Sequence, residues 1–145
     1  MIYLGCDHGG YKLKEVLVGY LKSKNIEVED LGTHSQEPSD YPDTAKLVGE
    51  KVAATPGSFG VLICRNGQGI CIAANKIKGI RAASAWSPEL AASIRQHDDA
   101  NILCIASDFT DEATAKAMID AFLKTPFENI ERRVRRIEKL NKLEQ

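Results

Sequence analysis

Gly60-Val-Leu-Ile-Cys64-Arg-Asn-Gly67-Gln-Gly69-Ile-Cys-Ile-Ala-Ala-Asn75-Lys76 reads as strand, turn and helix in a single line. An apolar run ends on a cysteine, a glycine-rich turn follows, and an alanine-rich segment opens a helix. The first N–H groups of a helix have no intrahelical partner. This order therefore sets the Cys64 thiol beside free backbone donors, a candidate nucleophile or base next to an anion hole.

The same alternation extends in both directions. Residues 3–6, 26–31, 59–64, 79–83 and 101–105 read as short strands, and residues 11–24, 41–54, 70–76, 87–96 and 110–123 as helices. In the first helix Leu13, Val16, Leu17, Tyr20 and Leu21 recur at helical spacing. Ser87-Pro88-Glu89 supplies an N-cap with proline at the first helical position, and Thr110 is the expected cap of the helix that opens on Asp111-Glu112. A last helix, about 127–143, carries Ile130, Val134, Ile137, Leu140 and Leu143 as an apolar stripe, an expected interaction surface on a partner subunit. Strands alternating with helices predict an α/β fold: a Rossmann-like three-layer α/β/α sandwich with a five-stranded parallel sheet and an extended C-terminal helix. In such sheets ligands bind beyond the carboxyl ends of the strands, so Asp7, His8 and Cys64 are expected on one edge.

The 145 residues suit one domain, 1–145. A net charge of −1 argues against a general nucleic-acid binder, so any phosphate recognition must be local. No apolar run approaches the roughly 20 residues that cross a bilayer, and no basic, cleavable leader precedes the first strand. The expected location is cytoplasmic, with no membrane association. Cys6, Cys64, Cys71 and Cys104 form no C-x-x-C pair, which favours free thiols over a disulfide framework or metal site.

Each candidate group has a plain structural alternative. Cys64 is either a reactive thiol or a buried cysteine at a strand end. Asp7 and His8 could position and move hydroxyl protons, with His8 also able to hold a phosphate, or could simply cap the next helix. His97 is a candidate acid–base group or a helix-dipole partner in a last turn. Arg132 and Arg136 share one helix face and could grip a phosphate, whereas with Arg133 and Arg135 they could form only a solvated basic face. His34 reads as an ordinary loop residue. The glycine turn is neither a dinucleotide fingerprint, lacking the third glycine, nor a Walker loop, lacking Gly-Lys-Ser/Thr.

Gly5-Cys-Asp7-His8-Gly-Gly-Tyr11, Asp40-Tyr41-Pro42-Asp43, Ile63-Cys64 with Gly67-x-Gly69, Ile72-Ala-Ala-Asn75-Lys76, Gly79-Ile-Arg81-Ala82 and Arg95-Gln-His97-x-Asp99-x-Asn101 together resemble the type B ribose-5-phosphate isomerase family, over nearly the whole chain. That family includes galactose- and allose-6-phosphate isomerases. The resemblance implies Cys64 as the base that moves a proton between C1 and C2, and His97 as the ring-opening group. It makes Asp7 a candidate for moving hydroxyl protons and implies Asp7, His8, Tyr41, Arg65, Asn66, Gly67, Gln68, Gly69, Asp98, Arg132 and Arg136 as substrate contacts. Loop 65–69 corresponds to the anion hole for the enediolate, with Asn66 able to donate through its amide. No metal or organic cofactor is implied, and the expected assembly is a homodimer or a dimer of dimers with shared sites.

The chain departs from the family pattern at several positions. Arg65 and Asn66 replace the usual glycine and hydroxyl residue, Asp98 the usual asparagine, and Ala106-Ser-Asp108 the usual Gly-x-Arg. Ile130-Glu131-Arg132-Arg133 replaces Gly-Gly-Arg-His. A carboxylate at 108 should repel phosphate, which raises the question of whether Arg133 or Arg135 compensates. The expected activity is interconversion of ribose 5-phosphate and ribulose 5-phosphate. The alternatives are an isomerase of another sugar phosphate, such as allose or galactose 6-phosphate, and a non-catalytic module that holds sugar phosphates.

Overall fold

The computed structural model describes residues 1–144. Five strands, β1 (Ile2–Cys6), β2 (Val28–Asp30), β3 (Phe59–Cys64), β4 (Ala82–Ser84) and β5 (Ile102–Ala106), form one parallel sheet in the order β2-β1-β3-β5-β4. Between and after them lie α1 (Tyr11–Ser23), α2 (Tyr41–Ala54), α3 (Gly69–Ala74), α4 (Pro88–Asp98), α5 (Glu112–Lys124) and α6 (Glu131–Asn141). Parallel strands need crossovers, and the crossovers put helices on both faces.

Alternation along the strands divides the core into two layers. From β3, Val61 and Ile63 join Leu4, Leu17, Leu103, Met118 and Phe122 in the layer under α1, α4 and α5. Leu62 and Cys64 join Val48, Val52, Ile70, Ile102 and Cys104 in the layer under α2 and α3. Strand side chains alternate with a period of two, which fixes Cys64 on the α2/α3 side. The expected three-layer architecture is therefore present. No helix of the described residues is long and apolar enough to cross a membrane.

The boundaries differ from expectation where side chains replace ladder hydrogen bonds. The fourth strand begins at Ala82 rather than 79, because the Arg81 N–H donates to Asn101 Oδ1 (2.8 Å) and the Gly79 N–H to Glu144 Oε1 (2.8 Å). The cap of α5 is Asp111, whose Oδ1 accepts from the Thr114 N–H at 2.7 Å, and not Thr110. The last helix starts at Glu131, not 127. Ile130 is extended, and the Glu128 N–H is committed to the Gln96 carbonyl at 3.0 Å. Along α6 Val134 and Ile137 are half-buried and Leu140 is exposed; the helix ends at Asn141, and Leu143 is exposed in the turn after it.

Candidate active site

The chain leaves β1 to pair β2 on one side and β3 on the other, so the crevice for a ligand opens at the carboxyl ends of β1 and β3. Asp7 and His8 follow β1 directly, and Cys64 ends β3. Asp7 is 8% exposed, and its Oδ1 accepts the N–H groups of Gly9 (3.0 Å) and Gly10 (3.2 Å). The structural alternative for Asp7 is thus realised on one carboxylate oxygen, and Oδ2 is left for other partners. The Cys64 thiol, on a residue 4% exposed, lies 3.7 Å from Asn66 Oδ1, which also accepts the Gln68 N–H at 2.9 Å. Asn66 therefore keeps Nδ2 as its remaining donor.

Two glycines shape the loop after Cys64. Gly67 has φ of +71°, and a Cβ there would stand 2.9 Å from the Ala106 nitrogen, so only glycine fits where the loop folds onto the end of β5. Gly69 opens α3 under the ring of Tyr41, whose carbons would lie 2.9–3.2 Å from a Cβ. Tyr41, at the head of α2, is thereby laid across the loop, and Gln68 reaches sideways to accept from the Ser84 hydroxyl at 3.2 Å. Ser107 ties the three strand ends together: its hydroxyl is 3.0 Å from the Gly9 carbonyl and 3.3 Å from that of Cys64. Arg65 lies over Gly9, and its guanidinium is 3.8 Å from the Asp108 carboxylate. It is the one Lys or Arg in the five loops at this edge, which also carry Asp7, Glu37, Asp40, Asp108 and Asp111.

The other thiols sit in the core. Burial pushes Cys6 up to about 12, and burial likewise pushes the fully enclosed Cys104 well up, so both stay protonated. Cys71 is held below its ordinary value by a hydrogen bond from Cys104, but it is engaged with that partner beneath α3. Cys6 and Cys64 both end their strands at the carboxyl edge, but Cys6 belongs to the core layer under α1, α4 and α5, whereas the Cys64 thiol meets Asn66 of the loop that follows it.

His97 and Asp98 lie elsewhere. Helix α4 leaves the carboxyl edge after β4 and returns the chain to the amino edge, where β5 begins. Cys64 pairs with Ala106 at the far end of β5, so the length of that strand, on the order of 13 Å at ~3.3 Å per residue, separates His97 from Cys64. The end of α4 is clamped: Asp99 receives Arg95 at 2.8 Å and Arg81 at 3.1 Å, and Arg95 also donates to the Ala100 carbonyl. His97 Nδ1 lies 3.4 Å from the Ser93 hydroxyl. There His97 and Asp98 line a cavity of about 480 Å³ with Arg133, Arg136, Ile137 and Leu140. Arg133 pairs with Glu128 (3.1 Å) and Arg135 with Glu131 (2.9 Å), whereas among the described residues Arg132 and Arg136 have no carboxylate within 4.0 Å. Neither Arg133 nor Arg135 is thus free to offset Asp108, and both lie on the opposite edge.

The candidate residues thus form two groups at opposite ends of the sheet. Asp7, His8, Tyr41, Cys64, Arg65, Asn66, Gly67, Gln68 and Gly69 make one, and His97, Asp98 and Arg136, with Arg132 exposed on the same helix, make the other.

Residues 2–140 match the Ribose/Galactose Isomerase family. The chain belongs to that family. Ribose-5-phosphate isomerase B of Escherichia coli is 42% identical over 144 residues, covering 99% of this chain and 96% of that protein. A probable ribose-5-phosphate isomerase B of Mycoplasma pneumoniae is 44% identical over 128 residues, 88% of this chain and 84% of that one. Among solved structures, ribose-5-phosphate isomerase B of Mycoplasma genitalium with bound ribulose 5-phosphate superposes with a TM-score of 0.93 at 42% identity, covering 98% of this chain and 94% of that one. The Clostridium thermocellum enzyme gives 0.95 at 40% identity, covering 98% and 95%. The chain is accordingly an aldose–ketose isomerase, an intramolecular oxidoreductase.

In this isomerase the groups the sequence reading passed over act through main-chain atoms or from a neighbouring loop. Ser39 bonds both the backbone and the ring of His8, and Ser107 bridges β3 to Gly9. Asn75 holds β4 in place by bonding both the Ala82 N–H and its carbonyl at 2.8 Å. Ser39 stands two residues before the Tyr41-Pro42 helix start, and a helix entry carrying a serine at that offset is the signal that could have drawn attention to it.

Proposed function

We propose that this isomerase interconverts ribose 5-phosphate and ribulose 5-phosphate through a cis-enediolate, in sites shared between two copies of the chain. The observation that carries the reading is the Cys64 thiol at the mouth of the β1/β3 crevice, with Asn66 and the amides of loop 65–69 beside it. With the open-chain aldose bound, the Cys64 thiolate takes the proton from C2, and the pair of electrons flows to O1. The loop amides and Asn66 Nδ2 meet that developing oxyanion, usually the largest contribution to such a step. The thiol then returns the proton to C1, while Asp7, through its free Oδ2, moves the hydroxyl proton from O2 to O1. Every step is a proton transfer, so atoms balance without a cofactor or metal.

Ring opening needs an acid–base group at the ring oxygen, and His97 is the candidate. The length of β5 keeps it from Cys64 within one chain, so His97, Asp98, Arg132 and Arg136 would serve the crevice of a second copy. Exposed apolar side chains at both edges support that pairing: Trp86 and Phe109 (72% and 80% exposed) flank the Cys64 edge, and Leu140 and Leu143 the His97 edge. In a two-fold dimer each contact occurs twice, giving two equivalent sites.

The test is a coupled assay of ribose 5-phosphate, allose 6-phosphate and galactose 6-phosphate beside Cys64→Ala. Turnover is expected for ribose 5-phosphate, with a loss of about 10³-fold in the variant and unchanged circular dichroism. Preference for a six-carbon substrate would favour a second reading, which the Arg65–Asp108 pair at the crevice supports as a departure that alters substrate choice. Saturable binding without interconversion of any of the three would overturn the enzymatic reading.

A further inference from the structure

Asp7 and Cys64 are neighbours across two strands. In the parallel pair of β1 and β3, Cys6 stands opposite Ile63, so the next step along each strand sets Asp7 opposite Cys64. The Asp7 N–H extends the ladder by donating to the Ile63 carbonyl at 3.2 Å, and Asp7 itself is extended, with φ of −88° and ψ of −176°. Neighbouring strands lie about 4.8 Å apart. The turn His8–Gly10 follows at once, and Gly10 packs on β3 so closely that a Cβ there would stand 2.6 Å from the Ile63 carbonyl oxygen. Whatever fixes this turn against β3 therefore fixes the Asp7 carboxylate against the thiol.

Ser107 supplies that fastening from the far side of β3. Cys64 pairs with Ala106 of β5, and Ser107 is the next residue out. Its N–H donates to the Cys64 carbonyl at 2.9 Å, while its hydroxyl lies 3.0 Å from the Gly9 carbonyl oxygen and 3.3 Å from that of Cys64. A hydroxyl has one proton to give. The Cys64 carbonyl already holds the Ser107 N–H, so the proton goes to Gly9 along the shorter contact, and the side chain spans from β5 over the end of β3 to the turn after β1. The bonds from the Gly9 and Gly10 N–H groups to Asp7 Oδ1 shape the turn from within, and those between His8 and Ser39 lead away to loop 31–40. Among the described residues, Ser107 is the side chain whose hydrogen bond ties the turn to the strands that carry Cys64.

We infer that Ser107 is a positioning residue that aligns Asp7 with Cys64, and that its hydroxyl sets how often an enediolate, once formed, goes forward to the ketose. This rests on the reading that Cys64 is the base and Asp7 the hydroxyl shuttle. Cys64 alone suffices to remove the C2 proton, which leaves the charge on O1 and a proton on O2. Returning a proton to C2 regenerates the aldose and asks nothing of Asp7. Reaching the ketose takes a proton at C1 and the transfer of the O2 proton to O1, the step that Asp7 performs. A carboxylate displaced from the thiol therefore leaves proton removal intact and sends the enediolate back.

Turnover of ribose 5-phosphate by the full-length protein in D₂O, with ribulose 5-phosphate drained as it forms, reads both fates. Deuterium at C2 of the remaining aldose counts returns, and ketose counts forward passages. Ser107→Thr and Ser107→Val have nearly the same shape and differ in the hydroxyl. Ser107→Val, like Ser107→Ala, is expected to raise the ratio of C2 deuterium to ketose about five- to tenfold, the equivalent of one lost hydrogen bond, and to lower kcat with KM within about twofold. Ser107→Thr should stay within about twofold of wild type in all three. Asp7→Asn, which keeps an oxygen for the Gly9 and Gly10 N–H groups, should shift the ratio the same way and further. A ratio unmoved in Ser107→Ala and Ser107→Val, or raised as much in Ser107→Thr, would overturn the proposal whatever happens to kcat, since a merely structural role slows both fates together. Deuterium entering C2 as fast in Cys64→Ala as in wild type would instead overturn the reading of Cys64 as base, and an unmoved ratio in Asp7→Asn the reading of Asp7 as shuttle; either takes the proposal with it.

Discussion

Cys64→Ala and His97→Asn chains, denatured together and refolded as an equimolar mixture, should regain isomerase activity that neither has alone. The amount follows from where the two residues lie. They sit at opposite ends of β5, on the order of 13 Å apart within one chain. Under the proposed shared site, a working centre takes the Cys64 edge from one copy and the His97 edge from the other. In a mixed dimer both lesions fall in one site, and the other site is wild type throughout. Random pairing makes half the dimers mixed, so about a quarter of wild-type activity should return after the parents' residual activity is subtracted. Differently tagged chains allow the mixed dimer to be purified, and it should then show about half of wild-type kcat with an unchanged KM. Pairing Cys64→Ala with Asn66→Ala, two lesions of the same edge, should restore nothing. Purified mixed dimer of Cys64→Ala and His97→Asn with no recovered activity would refute the shared-site reasoning and remove His97 from the reaction at Cys64.

Four further outcomes follow from the geometry. Lys14 is fully buried with Nζ 2.7 Å from both carboxylate oxygens of Asp30, so Lys14→Met should strand that charge and lower urea stability by about 3–5 kcal/mol. Gly67→Ala should cost about 1–2 kcal/mol for the left-handed backbone alone, and more through the crowding at Ala106, read as a lower urea midpoint with m unchanged. Arg65→Ala should raise KM for ribose 5-phosphate and Asp108→Asn should lower it, each by about fivefold with kcat within twofold; opposite signs would show that Arg65 does not meet the substrate's anionic end. Burial acts to raise the Asp120 carboxyl, but hydrogen bonds from Lys24 and Tyr20 outweigh it and hold it below its ordinary value, while Asp120 holds the Lys24 ammonium above its own. The carboxyl's contribution is present above ~3.9 and lost as pH falls through the depressed value, and the ammonium's is present below ~10.4 and lost as pH rises through the raised one; Asp120→Asn should flatten both limbs of a Tm–pH curve.

The parallel sheet was readable because its strands are buried on both faces and bounded by glycine and helix caps, as at Gly60–Cys64 and Ser87-Pro88. The start of β4 was not, because Asn101, Asn75 and Glu144 satisfy backbone groups that the apolar pattern assigns to a ladder. Thr110 and Asp111 are both good caps, and only the geometry selects Asp111. For the site, the rule that ligands gather at carboxyl strand ends correctly joined Asp7, His8 and Cys64. The same connectivity already puts His97 at the amino edge, since a helix that links two parallel strands must carry the chain back. Under the proposed pairing, the reach of His97 to a substrate depends on a second copy, which one chain's pattern does not hold. Ser39 escaped because it acts on the His8 ring through its peptide, and any residue type but proline offers that N–H.

Charge gives the proposed division of the site between two edges a physical reason. The carboxyl edge holds five carboxylates and one arginine, and that arginine faces Asp108. Such a surface can manage protons and hydroxyls, but it repels a phosphate dianion. The amino edge has the opposite balance: Arg132 and Arg136 are unpaired among the described residues, while Arg133 and Arg135 are neutralised by Glu128 and Glu131. In the proposed dimer, the second edge would bring the missing cations onto the first, and the opposite charges would attract the two copies to each other. The contribution of these arginines should be largest at low ionic strength, because exposed charges are screened beyond ~8 Å at physiological salt. KM for ribose 5-phosphate should therefore climb with salt in the wild type and much less in Arg132→Ala/Arg136→Ala. An equal salt dependence in both proteins would place the phosphate away from α6 and leave Arg65 and His8 to hold it.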